Sequence, residues 1–350
     1  MPQSFPSLRA LLDHGFDAVI DVRSPAEYAL DHIPGAISLP ALSNDERAEV
    51  GTIYKQISAF SARKIGAAKV ARNVATHLEG PLSTKEGGWR PLVYCWRGGQ
   101  RSGSFASILT QIGWRAETVQ GGYQSYRRLV QQALYETPLL HRLILLDGFT
   151  GTAKTDLLAH LAKRGAQTID LEGLAGHRGS LLGDMPGGQP NQKAFESALA
   201  LALLHLDPAR PVLVEAESSK IGRLVLPPVV WSAMCAAPRI EVDAPLAARA
   251  AYLTQTYADI IANPDHLTAQ LQQLRAHRGH EIVDHWLALL KAGDLTGLAS
   301  ALMTQHYDPA YAKSRALHNG QTLARVYAET LDNAGQELAA DRILSLLREA

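Results

Sequence analysis

Tyr94-Cys95-Trp96-Arg97-Gly98-Gly99-Gln100-Arg101-Ser102 is the stretch on which the reading of this chain turns. An apolar strand, Pro91-Leu92-Val93-Tyr94, ends on a cysteine, and a loop with two glycines and two arginines then leads into a helix. A free thiol titrates near ~8.5, and only its thiolate is a strong nucleophile. Arginines and the N–H groups of a helix start both stabilise an anion. Glycines let several N–H groups converge on one point. The stretch predicts a thiolate built to attack, or to carry, something anionic. Cys95 is the nucleophile, Arg97 and Arg101 stand beside it, and Gly98 and Gly99 form the nest. Such neighbours suit a packing cysteine poorly.

Working outward, the N-terminal third alternates short strands with helices. Ala18-Val19-Ile20-Asp21-Val22-Arg23 reads as a buried strand. Ser24 then caps a helix with Pro25 at its first position and Glu27 completing a capping box. A turn at Ile33-Pro34-Gly35-Ala36 precedes the strand Ile37-Ser38-Leu39. Residues 45–78 are helical in period and basic (Arg47, Lys55, Arg63, Lys64, Lys69, Arg72), and Trp114–Val119 is a further strand before Gly121-Gly122-Tyr123.

A second pattern starts at the strand Leu143-Ile144-Leu145-Leu146-Asp147. Gly148-Phe149-Thr150-Gly151-Thr152-Ala153-Lys154-Thr155 follows it and opens a helix, which is the context of a phosphate-binding G-x-x-x-x-G-K-[ST] loop. Gly148, Thr150, Gly151 and Thr152 would wrap phosphates with their N–H groups, Lys154 would neutralise them, and Thr155 would reach a Mg²⁺ if one is used. Ala153 stands where the last glycine of the motif belongs, which argues against ordinary ATP hydrolysis. Asp170 and the pair Glu215/Glu217 end later strands, where ligands gather in such sheets. They read either as holding a metal or water, or as solvated strand ends. His177 and Arg178 form a basic pair in a glycine-rich loop suited to an anion. His277 and His280 share helical spacing but lack cysteine partners, so no zinc centre is expected, and Cys235 reads as core. Strands at Gln167–Asp170, Pro211–Glu215 and Arg239–Val242 separated by helical periods indicate a parallel, doubly wound sheet. From Pro245 onward only helical patterns are found.

The expected organisation is therefore α/β: an N-terminal domain over 1–137, a phosphate-loop domain over 138–245 and a helical C-terminal region over 246–350. A length of 350 residues suits two or three domains. Lys+Arg and Asp+Glu both number 34, which excludes indiscriminate nucleic-acid binding but not a local basic groove. There is no secretory signal at Met1-Pro2-Gln3-Ser4-Phe5, no apolar run of about 20 residues, and only two cysteines. Together these predict a cytoplasmic protein free of the membrane.

The spacing from Cys95 to Arg101 lets an arginine return to the thiolate's own anion pocket, an arrangement used by rhodaneses and cysteine-dependent phosphatases. Asp21-Val22-Arg23-Ser24-Pro25-Ala26-Glu27-Tyr28 and His32-Ile33-Pro34-Gly35-Ala36 resemble the two signatures of the rhodanese fold over residues 12–135. The cysteine loop is one residue longer than in common sulfur-carrying rhodaneses, as in rhodanese-fold phosphatases and arsenate reductases, and suits phosphorus or selenium. With Glu46–Gln56, the phosphate loop, Asp170–Ser180 and Val214–Ser218 added, residues 12–245 resemble the tRNA 2-selenouridine synthase family.

That resemblance implies a two-step modification of tRNA carrying 2-thiouridine at the wobble position. The sulfur is geranylated from geranyl diphosphate, and the S-geranyl group is then replaced by selenium from selenophosphate. It implies no tightly bound cofactor, a phosphate loop gripping geranyl diphosphate, Cys95 carrying selenium as a perselenide steadied by Arg97 and Arg101, and selenophosphate synthetase as a candidate partner. Phosphate contacts to tRNA are expected from the stretch Lys55–Arg72 and from Arg275, His277, Arg278, Lys313 and Arg315. The alternatives are a rhodanese-fold cysteine phosphatase or arsenate reductase, a thiosulfate sulfurtransferase with an accessory phosphate-loop domain, and a nucleotide-sensing regulator whose cysteine has no chemical role.

Overall fold

A computed structural model describes residues 2–180, 182–316 and 321–349. The chain divides into two compact units, Met1–Thr137 with Asn191–Ala200, and Pro138–Pro190 with Leu201–Ala350. No described helix is long and apolar enough to cross a membrane.

The first unit is built on five parallel strands: β1 (Pro2–Gln3), β2 (Ala18–Asp21), β3 (Ile37–Ser38), β4 (Pro91–Tyr94) and β5 (Glu117–Val119), in the order β1-β5-β4-β2-β3. All four residues of β4 are buried, as expected for a central parallel strand covered on both faces. Ser24 and Glu27 close the capping box of the Pro25–Leu30 helix. Ala62, Gly66, Val70 and Val74 recur at fourfold spacing along the Ala59–Glu79 helix and form its buried face. Gly66 lets that helix approach Val50 of the Asn44–Gln56 helix. Beneath the sheet's C-terminal edge, Arg23 pairs with Asp21 through Nε and Nη2, stacks over Tyr123 at 3.9 Å and donates to the Asp31 carbonyl. Tyr94 donates to Asp21 as well. This buried set holds the end of β4, and hence Cys95, in a fixed place.

Sequence reading places residues 191–200 in the second domain, whereas in the structure they pack with the first. The reason is polar: Ser197 donates to Asp31, which also accepts from Tyr123, and Arg127 pairs with Glu196. No apolar periodicity encodes such a match.

The second unit contains β6 (Leu143–Gly148), β7 (Gln167–Ile169), β8 (Val212–Glu215), a small hairpin of β9 (Lys220–Ile221) and β10 (Leu224–Val225), β11 (Arg239–Asp243) and β12 (Thr322–Tyr327). Its main sheet is parallel, in the order β12-β11-β6-β8-β7. The expectation of helices alone after Pro245 is corrected here: β12 returns to the sheet edge beside β11, and the Asn333–Glu349 helix packs Ala339, Ala340 and Ile343 against Leu157 and Leu161. An edge strand needs no continuous apolar run; Leu323 and Tyr327 are exposed and Val326 is buried, so its periodicity is weak. The helices between β11 and β12 enclose a separate core around Trp286, Leu271 and Val283. Gly279, at φ +85°, breaks the predicted His277/His280 helix in two, so the histidines lie on the Arg275–Arg278 and His280–Ala292 helices.

Candidate active site

Cys95 is almost fully buried at the end of β4. Its Sγ accepts from the Gly99 N–H at 3.3 Å and from Ser102 Oγ at 3.2 Å. Burial resists ionisation, but the Ser102 hydrogen bonds, the Arg101 charge and the Gly99 N–H outweigh it and hold the thiol below its usual range. The loop turns at Gly98, with φ +66°. It is held from below by Tyr123 N–H to the Cys95 carbonyl (2.8 Å) and Gln124 N–H to the Trp96 carbonyl (3.1 Å). A Cβ on Gly122 would lie 2.2 Å from the Cys95 carbonyl oxygen, so the glycine pair after β5 is required by that close approach.

A cleft over the thiol is lined by Arg47, Lys55, Arg97 and Arg101, with Trp96. Arg97 is exposed. Arg101 donates to Glu27 Oε2 at 2.8 Å, and Arg47 meets the same oxygen at 2.9 Å. Arg101 is thus tied to the capping-box glutamate and acts on the thiol through its charge. Ser102, the direct donor to sulfur, is not among the sequence-predicted site residues. Its position one turn past Gly99 in the helix Gln100–Gln111 is the signal that points to it. Exchanging Ser102 for alanine removes a hydrogen bond to a charged acceptor, worth roughly 1.5 kcal/mol. The midpoint of Cys95 alkylation rate against pH should rise by about one unit; an unmoved midpoint overturns this role.

In the second unit the phosphate loop leaves β6 and enters the Lys154–Lys163 helix. Ala153 has φ +56°, the one positive φ at a non-glycine among the described residues. Its methyl is buried and belongs to the core cluster with Ile144, Leu157 and Val242, so the departure from the motif is absorbed by packing. Gly151 at φ +83° abuts Leu253 and the Arg249 carbonyl. Arg249 is buried, donates to the Thr150 carbonyl at 2.9 Å and pairs with Asp308 at 2.6 Å. Thr152 Oγ1 donates to the Phe149 carbonyl, and Lys154 Nζ to the Gly148 carbonyl at 3.0 Å. Lys154 also sits 5.6 Å over the Tyr311 ring.

Thr155 Oγ1 donates to Glu172 at 2.9 Å. Glu172 also bonds to Glu217, and burial, then the Glu172 charge, pushes Glu217 up to about 8. Glu215 is fully buried, accepts from the Leu171 and Glu172 N–H groups, and is pushed well up by burial and then by its acidic neighbours. A carboxyl whose folded pKa exceeds its ordinary 4.5 adds stability below that value, and this is lost as pH rises to about 8. Glu217→Gln keeps the shape without the charge. Its melting temperature should exceed the parent's by more at pH 8.5 than at pH 6, and an equal difference at both overturns the assignment.

A family model described as the tRNA 2-selenouridine synthase AAA domain matches residues 141–340, and a rhodanese-like domain model matches residues 4–129. The chain belongs to the tRNA 2-selenouridine synthase family. It is 39% identical over 242 residues to the tRNA 2-selenouridine synthase of Aeromonas salmonicida strain A449, covering 68% of this chain and 64% of that one. It is 34% identical over 333 residues to that of Hahella chejuensis strain KCTC 2396, covering 84% of each.

Within this family member, the structure brings Thr150, Gly151, Thr152, Lys154, Thr155, Asp170 and Arg178 around one cavity, together with Glu172. Gly148 closes the loop from below, where a Cβ would meet Thr152 Oγ1. Asp170 caps the Leu171–Ala175 helix by accepting from Gly173 N–H at 2.7 Å. Arg178 is held by both Asp259 oxygens at 3.0 Å. His177 is buried, accepts from Gly179 N–H, and is held neutral by burial against the pull of Asp184. It shapes the loop rather than facing the cavity. Glu217 lines a neighbouring cavity with Tyr311 and with Cys235, which is half-buried rather than core.

Of the basic candidates near the C-terminus, Arg275 is tied to Asp284 and Arg278 to His306. Lys313 is exposed, and the Arg315 side chain lies outside the described residues. Arg249, Asp308 and Tyr311 were not legible as site residues, because nothing local distinguishes them.

For a divalent cation, Thr155 and Glu172 are the fitting oxygens beside the phosphate loop. Among the described residues no group of three His, Cys, Asp or Glu forms a protein-only cage. A cation held there would take most of its ligands from a bound phosphate group and water, and would supply charge neutralisation beside the loop.

Proposed function

We infer that this chain converts 2-thiouridine at the wobble position of tRNA into 2-selenouridine through S-geranyl-2-thiouridine. Family membership supports the overall conversion. The observation that carries the division of labour is that one chain holds two separate anion sites, a lowered-pKa thiol in a basic cleft and a phosphate loop with its lysine.

In the first step the 2-thio sulfur attacks C1 of geranyl diphosphate. The S–C bond forms, the C–O bond breaks, and pyrophosphate leaves on the phosphate loop, where Lys154 and the loop N–H groups take up its charge. Alkylation converts a poor leaving group into a good one. In the second step selenium bonds to C2, and geranylthiolate departs. The net exchange is redox-neutral: selenophosphate and water give selenide and phosphate, and selenide replaces a thiolate. Cys95 handles the selenium, with Arg97 and Arg101 as the nearby cations. The exchange supplies no oxidant, so selenium passes at the selenide level beside the Cys95 thiolate rather than as a perselenide two electrons above it. Selenophosphate synthetase is the supplying partner, and the setting is the cytoplasm.

Incubating the purified chain with 2-thiouridine tRNA, geranyl diphosphate and selenophosphate should yield both nucleosides by mass spectrometry, the S-geranyl form first. Absence of the S-geranyl form at every time overturns the two-step order. The cleft cations Arg47, Lys55, Arg97 and Arg101 are the proposed tRNA phosphate contacts near Cys95. Four such contacts give a log–log salt slope of about −3, and affinity should fall roughly 50-fold between 50 and 200 mM salt. Arg47→Gln with Lys55→Gln should flatten that slope by about 1.5; an unchanged slope places the tRNA elsewhere.

A further inference from the structure

An apolar cavity opens beside the phosphate loop, within the second unit. Its walls are Leu182, Leu253, Ile260, Leu267, Leu298 and Leu302, drawn largely from the helices that follow β11. Thr150, Leu253 and Tyr257 line both this cavity and the phosphate-loop cavity, so the two adjoin at those residues. At the junction Tyr257 shares a hydrogen bond with Ser180, 3.1 Å away, and beyond it the named walls are hydrocarbon. A nucleoside next to a diphosphate needs polar groups for its base and ribose. The hydroxyls of Thr254, Tyr257 and Tyr307 are engaged by the Ala251 carbonyl and by Ser180, and the remaining walls suit a chain with no hydrogen-bonding capacity.

We propose that this cavity is the binding site for the hydrocarbon chain of a prenyl diphosphate, with the diphosphate on the Gly148–Thr155 loop, and that its apolar lining sets which chain length is accepted. The assignment rests on the reading of geranyl diphosphate as the alkylating substrate and adds where and how the chain is chosen. It also gives the helices after Pro245 a role in that step. Those helices bring Leu253 against Gly151, so the tail site and the diphosphate site are built by one contact. Ala299 and Leu267 also line the cavity. A larger side chain at Ala299 shortens the space, and a smaller one at Leu267 extends it.

The test measures kcat/KM for S-alkylation of 2-thiouridine tRNA by the full chain with dimethylallyl, geranyl and farnesyl diphosphates. The parent should prefer geranyl over dimethylallyl by about 100-fold or more, since five additional carbons are buried. Ala299→Phe should lower the geranyl-to-dimethylallyl ratio at least about tenfold, and Leu267→Ala should raise the farnesyl-to-geranyl ratio by a similar factor. Calorimetric binding of inorganic pyrophosphate reports whether each variant keeps a folded phosphate loop. Should one variant lose it, the other variant's ratio decides. Unchanged ratios in a folded variant, with geranylation intact in the parent, overturn the cavity assignment alone. A parent that binds ATP more tightly than geranyl diphosphate and makes no S-geranyl product overturns the substrate reading as well.

Discussion

Cys95→Ser should lower selenium incorporation about 1,000-fold or more while S-geranyl-2-thiouridine accumulates. A serine hydroxyl does not ionise in this pH range, and removing a nucleophile of this kind costs several powers of ten. The two hydrogen bonds that converge on Sγ, from Gly99 and Ser102, remain available to the serine oxygen, so the loop keeps its shape and only the chemistry is lost. The measurement is nucleoside mass spectrometry of tRNA treated with the purified variant. Full selenation by Cys95→Ser, or loss of geranylation in its place, overturns the assignment of selenium chemistry to this loop.

The reciprocal expectation is at the other site. Lys154→Ala should reduce geranylation by about 100-fold, the loss expected when a charge-assisted contact to a diphosphate is removed. The same variant supplied with tRNA already carrying S-geranyl-2-thiouridine should still form 2-selenouridine. Lys154 rests on the Gly148 carbonyl and over the Tyr311 ring, so it is placed beside the loop before any phosphate arrives. Equal loss in both assays would show that the two sites do not divide the reaction in this way.

Much of both sites was legible from local pattern. The capping box at Ser24 and Glu27, the buried run Pro91–Tyr94 and the glycine-spaced loops each depend on neighbours within a few residues, and each forms where expected. Arg101 was legible as a cation near Cys95, but its pairing with Glu27 was not, because 74 residues separate them. Ala153 looked like a defect in the phosphate loop. Only the packed structure shows its methyl turned into the core while its backbone keeps the left-handed turn that glycine usually supplies.

The sequence by itself determined strands β2 to β8 and β11, the two glycine-rich loops and the family, because apolar periodicity and short glycine motifs are local properties; β1 and the β9–β10 hairpin, of two residues a strand, carry too little pattern to be read. Tertiary structure alone decided three things. It placed residues 191–200 in the first unit through the Asp31–Ser197 and Arg127–Glu196 contacts. It returned β12 to the sheet edge, where a half-exposed strand needs little apolar pattern. It also set an apolar cavity among the C-terminal helices beside the phosphate loop. Each depends on side chains a hundred or so residues apart meeting in space, and no window along the chain contains both partners.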